Sequence, residues 1–194
     1  MTRDELFMRT GIHVKTVNQV KNWVFGATAL AVLAGCTSSA ETELARDLPC
    51  PSVGLIAGTE EVTVFSGRGS DVTDIVLKGE IERVVSECEY DIDDGIIFVN
   101  LAFRGTAELG PAATSREITV PTFIALTETS SRVLRKDVMP VTLSFPDNQR
   151  TTGFIHTVEE TKVPYVANID GSAYEILVGF QLTREQRDFN RRAK

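Results

Sequence analysis

The sequence predicts an all-β domain, an antiparallel β-sandwich of about seven strands. Apolar and polar residues alternate with a period of two through most of the chain beyond Pro51. Clusters of turn-forming residues separate these stretches at short intervals, and no convincing helical periodicity occurs inside the domain. We therefore expect an immunoglobulin-like or fibronectin type III-like sandwich at residues 50–183, after an N-terminal signal helix, with a closed barrel as the alternative.

The first predicted strands are short or interrupted. Residues 62–65 are mostly apolar and β-branched, and SGRGSD closes them. The long strand that begins at Asp74 alternates until Val84–Val85, where the shift in pattern predicts a β-bulge. The stretch DIDDG then predicts a turn, and residues 97–104 form a fully alternating strand.

Prolines and turn residues mark the later strands. Pro121 interrupts the strand at 117–127, and Pro140 places the strand at 133–145 at a sheet edge or a bulge. The turn sequences PDNQ and NIDGS set off the last two strands, which are predicted at 152–162 and 174–182. The basic tail at 184–194 could form a last helical turn or fray, and we expect a solvated terminus, with contact to lipid headgroups or an acidic partner as the alternative.

The charge of the chain argues against one class of partner. The 194 residues are 42% hydrophobic and 24% charged, a mixture typical of globular proteins, with a formal net charge of −7. Residues 1–35 contribute +2, so the chain from Cys36 onward carries −9. An acidic body repels phosphate backbones and anionic lipid, so we expect no nucleic-acid partner and no membrane attachment through charge.

The N-terminal 35 residues have the layout of a secretory signal peptide. The uncharged stretch WVFGATALAVLAG covers residues 23–35, after the basic residues Arg9, Lys15 and Lys21. As a helix, 13 residues would span roughly 20 Å, less than the roughly 30 Å of a hydrocarbon core. A signal peptide at 1–35 is therefore favoured over a membrane-spanning helix.

The residues that end this apolar stretch, Leu33-Ala34-Gly35-Cys36, resemble the lipobox of bacterial lipoproteins. The resemblance implies that diacylglycerol is attached to the thiol of Cys36, that a peptidase cuts before it and that the new amino group is acylated. Residues 36–49 would then be a lipidated tether, and acyl chains in this number anchor a protein stably. Thr37 stands where an Asp would favour the inner membrane, so the resemblance implies the periplasmic face of the outer membrane.

Two further cysteines, Cys50 and Cys88, predict a disulfide. An exported protein meets an oxidising compartment, in which a bond between two cysteines is the default. Two independent buried thiols are the alternative. A metal site is less favoured, because these cysteines and His156 fall short of the usual four ligands.

No catalytic residue, metal site or cofactor is predicted. Asp91, Asp93 and Asp94 resemble the start of a calcium loop, but the twelfth position holds Ala102 instead of the bidentate Glu. His156 is the single histidine after Cys36, without a nucleophile motif, and we expect it at a surface or cross-strand position.

Three stretches of the domain resemble uncharacterised lipoproteins of Gram-negative bacteria: CPSVGLIAG at 50–58, RVLRKDVMPV at 132–141 and YEILVGFQLTREQ at 174–186. The resemblance implies an envelope protein and brings no assigned activity. We expect a lipid-anchored, non-enzymatic interaction or structural module in the periplasm, bound to membrane lipid through Cys36 and docking on another envelope protein. The alternative is an accessory hydrolase or sugar-binding subunit whose site is built from loops.

Overall fold

A computed structural model describes residues 48–67, 71–129 and 132–193. Within these ranges the chain forms eight β-strands and one α-helix. The strands are β1 (Ser52–Leu55), β2 (Glu61–Phe65), β3 (Ile75–Asp91), β4 (Ile96–Leu109), β5 (Glu117–Glu128), β6 (Arg132–Ser144), β7 (Thr151–Pro164) and β8 (Tyr174–Phe180), and the helix is α1 (Arg184–Ala193). No helix in these ranges combines the length and the apolar character needed to cross a bilayer.

The strands build two packed sheets of four strands each. Sheet 1 has the order β1-β8-β5-β6 and sheet 2 the order β2-β3-β4-β7. Neighbouring strands are antiparallel except β1, which runs parallel to β8. The inner faces bury one apolar core, whose largest fully buried side chains include Leu77, Phe103, Leu143, Ile176 and Phe180. The all-β sandwich prediction is confirmed, with two separate sheets instead of a closed barrel.

The structure differs from the predicted strands in two places. The additional strand is β1, which has four residues and is defined by its pairing with β8. The bulge in β3 falls between Ile81 and Arg83, ahead of the predicted shift at Val84–Val85. Gly105 lies opposite Ile81, and a Cβ at this glycine would collide with the carbonyl oxygen of Glu80, so the bulge and the glycine fit one another.

The two prolines predicted to interrupt strands are register partners on β5 and β6. The carbonyl of Pro121 accepts the N–H of Gln181 at 2.8 Å, on the β8 side, so it points away from β6. Pro121 and Pro140 therefore form a non-hydrogen-bonded pair, in which neither missing N–H is needed between the strands. Pro140 instead removes a donor from the free edge of sheet 1, and β6 is an edge strand as predicted.

The basic C-terminal segment forms the helix α1, which packs on β2 and leaves its arginines exposed. Thr183 and Gln186 form a reciprocal capping box at its start. The ring of Phe189 packs edge-on against Phe65 with centroids 5.1 Å apart. The buried side chain of Asn190 donates hydrogen bonds to backbone carbonyls at the start of β2, so α1 covers part of that edge of sheet 2.

Candidate functional site

The predicted lipid attachment site, Cys36, lies outside the described residues. The signal peptide at 1–35 and residues 36–47 of the predicted tether lie outside them too. The described part of the chain begins at Leu48, two residues before the first cysteine of the domain, where the chain enters the sandwich.

A disulfide fixes this point of entry. Cys50 precedes β1 and is bonded to Cys88 on β3, with Cα atoms 5.8 Å apart. The prediction of a disulfide between these two cysteines is confirmed, and the alternatives of free thiols or a metal site do not apply to this pair. The bond joins the segment ahead of sheet 1 to a strand of sheet 2.

Tyr90 forms a second attachment beside the disulfide. Its hydroxyl donates a hydrogen bond to the carbonyl of Pro49 at 2.6 Å and accepts one from the N–H of Gly171 at 2.7 Å. The ring contacts Tyr165 edge-on, with centroids 5.3 Å apart. Burial raises the pKa of Tyr90, while the hydrogen bond from Gly171 lowers it and the charge of Asp170 raises it.

Gly171 is required at this position because a side chain would not fit. A Cβ there would overlap the carbonyl oxygen of Pro49 and lie 2.8 Å from the ring of Pro51. The N-terminal entry, the end of β3 and the segment ahead of β8 therefore form one packed unit. The arrangement holds the chain in place and exposes no reactive group beyond the disulfide.

The acidic stretch before Gly95 forms the turn between β3 and β4. The side chain of Asp91 accepts the backbone N–H of Asp94 at 2.9 Å, and Gly95 has a φ of 64°, which favours glycine. In the three described ranges, no cluster of three or more His, Cys, Asp or Glu residues is arranged to hold a metal ion. The geometry shows a structural role in the turn, in which Asp91 accepts a backbone hydrogen bond.

His156 occupies a cross-strand position, one of the two that the sequence predicts. It lies opposite Phe103, with ring centroids 5.3 Å apart, and is half-buried. Burial lowers the pKa of its imidazole. No hydrogen bond connects the imidazole to another described residue, so the geometry provides neither a nucleophile nor an orienting carboxylate for general-base catalysis.

An open depression of about 300 Å³ lies across β2, β3 and β4, with a contribution from the start of β7. Its lining includes Glu61, Glu80 and Glu108 together with Lys78. All four side chains are exposed. The three carboxylates of the depression come from three different strands, β2, β3 and β4.

A second surface feature was not predicted from the sequence. On the outer face of sheet 2, Arg83 and Arg104 are register partners on adjacent strands, and Ile155 is the partner of Arg104 on the next strand. All three side chains are exposed. The pair could not be foreseen because it depends on the register across the bulge.

Comparison with known proteins adds no relative, since no protein-family model, curated protein or solved structure matches this chain. The class of protein is therefore defined by the fold and the site themselves. It is an all-β sandwich of two four-stranded sheets whose N-terminal entry is fixed by a disulfide and a buried tyrosine.

Proposed function

We propose that this is a lipid-anchored envelope protein whose sandwich acts as a non-enzymatic interaction module in the periplasm. The observation that carries the proposal is the disulfide between Cys50 and Cys88. Structural disulfides persist in oxidising compartments and are rare in the cytosol. The bond therefore supports export, which is also what the signal peptide and the lipobox resemblance at Cys36 imply.

The position of the disulfide fits an anchored domain. The tether at 36–49 ends where Pro49 and Cys50 are held by Tyr90 and Cys88. A tether of this length would keep the domain close to the lipid surface. By the resemblance to bacterial lipoproteins, Thr37 implies the outer membrane instead of the inner one.

The surfaces of the sandwich support interaction more than catalysis. The carboxylates of the open depression are exposed, and His156 points toward the inner face of sheet 2 instead of a cleft. The depression is nevertheless the observation that favours the second candidate, an accessory hydrolase or sugar-binding subunit. Alanine variants at Glu80 and Glu108 would remove turnover of an envelope polymer under that second function and leave docking unchanged under the first.

We also propose that the sandwich is of the immunoglobulin or fibronectin type III kind. Two packed sheets support a kinship with immunoglobulin or fibronectin type III domains. The sheet order differs from the ABED and CFG arrangement of an immunoglobulin constant domain, because β5 lies between β8 and β6.

The anchor is tested by mass spectrometry of the protein purified from detergent-solubilised envelopes. We expect a mature N-terminus at Cys36 that carries diacylglycerol and an amide-linked acyl chain, and a Cys36→Ala variant that leaves the membrane fraction. The matched control is Cys50→Ala/Cys88→Ala, which removes the other two cysteines and should stay in the membrane. An uncut, unmodified N-terminus on cytosolic protein would overturn the proposal.

A further inference from the structure

We propose that the outer face of sheet 2 carries a docking surface for an acidic, partly apolar protein segment, centred on Arg83 and Arg104. The inference rests on the proposed interaction function and names its surface and the chemistry of its partner. Both arginines are exposed, and they are register partners on β3 and β4. Side chains directly opposite each other on neighbouring strands have Cβ atoms roughly 5 Å apart.

Among the described residues, neither arginine of this pair has a polar partner. Like charges directly opposite one another destabilise a sheet, and no hydrogen bond or ion pair connects either guanidinium to another described residue. By contrast, Arg132 and Arg135 each pair with a carboxylate, and Arg116 contacts three backbone carbonyls. Arg83 and Arg104 therefore retain their full capacity to bind carboxylates.

The bulge in β3 is what creates the pair. Ile81 lies opposite Gly105, so an uninterrupted ladder would place Glu82 opposite Arg104 and give a pair of opposite charges. The extra residue at the bulge puts Arg83 in that position instead. At a bulge two residues of one strand oppose one residue of its partner, so the exposed Glu82 stays at the bulge while Arg83 takes the register position opposite Arg104.

Apolar residues adjoin the two cations. Ile155, next to Arg104 on β7, is 76% exposed, and Val85, on the neighbouring row of β3, is 53% exposed. Ala102 lies between Val85 and Thr157 on that row. Arginine beside exposed apolar side chains is a composition typical of protein interfaces, and a guanidinium binds a carboxylate through two parallel hydrogen bonds.

The charges on the same face favour a protein over an anionic membrane as the occupant. Glu80 and Glu82 precede Arg83 on β3, and Glu87 and Glu89 lie on β3 beyond the apolar row, all of them exposed. A sheet of anionic headgroups would meet these carboxylates together with the arginines and be repelled by them. A folded partner can place its own carboxylates opposite Arg83 and Arg104 alone.

The proposal is tested by photo-crosslinking in intact cells from a benzoylphenylalanine at position 155, with the crosslinked peptide identified by mass spectrometry. We expect one envelope protein, crosslinked through a segment that contains Asp or Glu next to apolar residues. Arg83→Glu/Arg104→Glu should reduce the crosslink at least tenfold, and changing the partner's acidic residues to Arg should restore it. Photo-crosslinking from position 133, an exposed apolar position on sheet 1, should not capture the same segment.

A matched control distinguishes the effect of charge at the proposed surface from the effect of the protein's net charge. Arg184→Glu/Arg192→Glu changes the net charge equally on α1, at two exposed arginines without a partner among the described residues, and should leave the crosslink intact. Equal loss in both double variants, or a crosslinked segment without acidic residues, would overturn the proposal. So would binding of the purified protein to phosphatidylglycerol vesicles that depends on Arg83 and Arg104. A Cys36→Ala variant that stays in the membrane fraction and keeps the crosslink would instead contradict the anchor and leave the docking surface standing.

Discussion

The hydroxyl oxygen of Tyr90 lies 2.7 Å from the backbone nitrogen of Gly171, a residue 81 positions further along the chain. The same hydroxyl donates to the carbonyl of Pro49. One phenol thus satisfies backbone groups from two distant segments at the end of the sandwich where the chain enters. Neither segment has a strand partner at that position, so the tyrosine replaces the hydrogen bonds that a sheet would supply.

Replacing Tyr90 with Phe should therefore destabilise the domain. The buried N–H of Gly171 would lose its acceptor, which costs about 1–3 kcal/mol of unfolding free energy. Urea unfolding of the variant measures this loss. Tyr165→Phe is the matched control, because that hydroxyl makes no hydrogen bond to a described residue, and a similar loss in the control would contradict the assignment.

Removing the disulfide should lower the free energy of unfolding by more than the Tyr90→Phe change does. The bond closes a separation of 38 residues, for which chain entropy predicts a stabilisation of about 4 kcal/mol. Unfolding of Cys50→Ser/Cys88→Ser is compared with that of the wild-type protein with and without dithiothreitol. Cys36→Ser removes the third cysteine and should unfold like the wild type, whereas a double variant of unchanged stability would show that the bond contributes nothing.

His156 should make the domain less stable in mild acid. Burial lowers the pKa of its imidazole, so the unfolded chain binds the proton more tightly than the folded chain does. The contribution of neutral His156 to the free energy of unfolding is fully present above the unfolded pKa of about 6.5. It falls as the pH drops from there toward the lower folded pKa. The difference in unfolding free energy between pH 7.5 and pH 5.5 should shrink in His156→Leu, and an unchanged difference would refute this explanation.

The helix α1 should stabilise β2 through Asn190. This side chain is 4% exposed and donates to the carbonyl of Glu61 at 2.8 Å and of Gly58 at 3.4 Å. Asn190→Ala leaves these carbonyls without their donor and should cost about 1–3 kcal/mol. Arg191→Ala, which removes an exposed ion pair on the same helix, should change the melting temperature little. Equal effects of the two changes would mean that α1 is not held by Asn190.

Replacing one arginine of the outer-face pair should stabilise the fold. Arg104→Thr removes a like-charge contact and introduces a residue favoured in strands, so we expect a gain of about 0.2–1 kcal/mol. Arg83→Thr should behave similarly, and the double variant should gain less than the sum because the repulsion is already absent in each single variant. Strict additivity, measured by chemical denaturation, would indicate that the two guanidinium groups do not interact.

Alternation predicted most strands because each has one face in the core. In β4, Ile97, Val99, Leu101 and Phe103 are all nearly fully buried, so the pattern of this strand follows directly from its packing. The short strand β1 escaped prediction because four residues that include a glycine carry little periodicity. The helix α1 had a readable signal in Thr183 and Gln186, the two ends of a capping box, which the basic character of the tail obscured.

One feature of the candidate site could be predicted from the sequence and two could not. The disulfide could be predicted because Cys50 and Cys88 were the two cysteines available to each other once Cys36 was assigned to lipid. The Tyr90 contacts span 41 and 81 residues, and no local pattern reports such distances. The arginine pair depends on a one-residue shift at a bulge, and alternation located that shift three residues too late.

The way the chain enters the domain also determines how the protein bears mechanical load. A pull on the segment before Cys50 passes through a covalent bond into Cys88, on a strand flanked by β4 along most of its length. The four residues of β1 that pair with β8 follow Cys50 in the chain, so the load reaches the disulfide before it reaches them. A pulling force on the N-terminal side of such a domain would therefore not separate β1, its shortest strand, from β8.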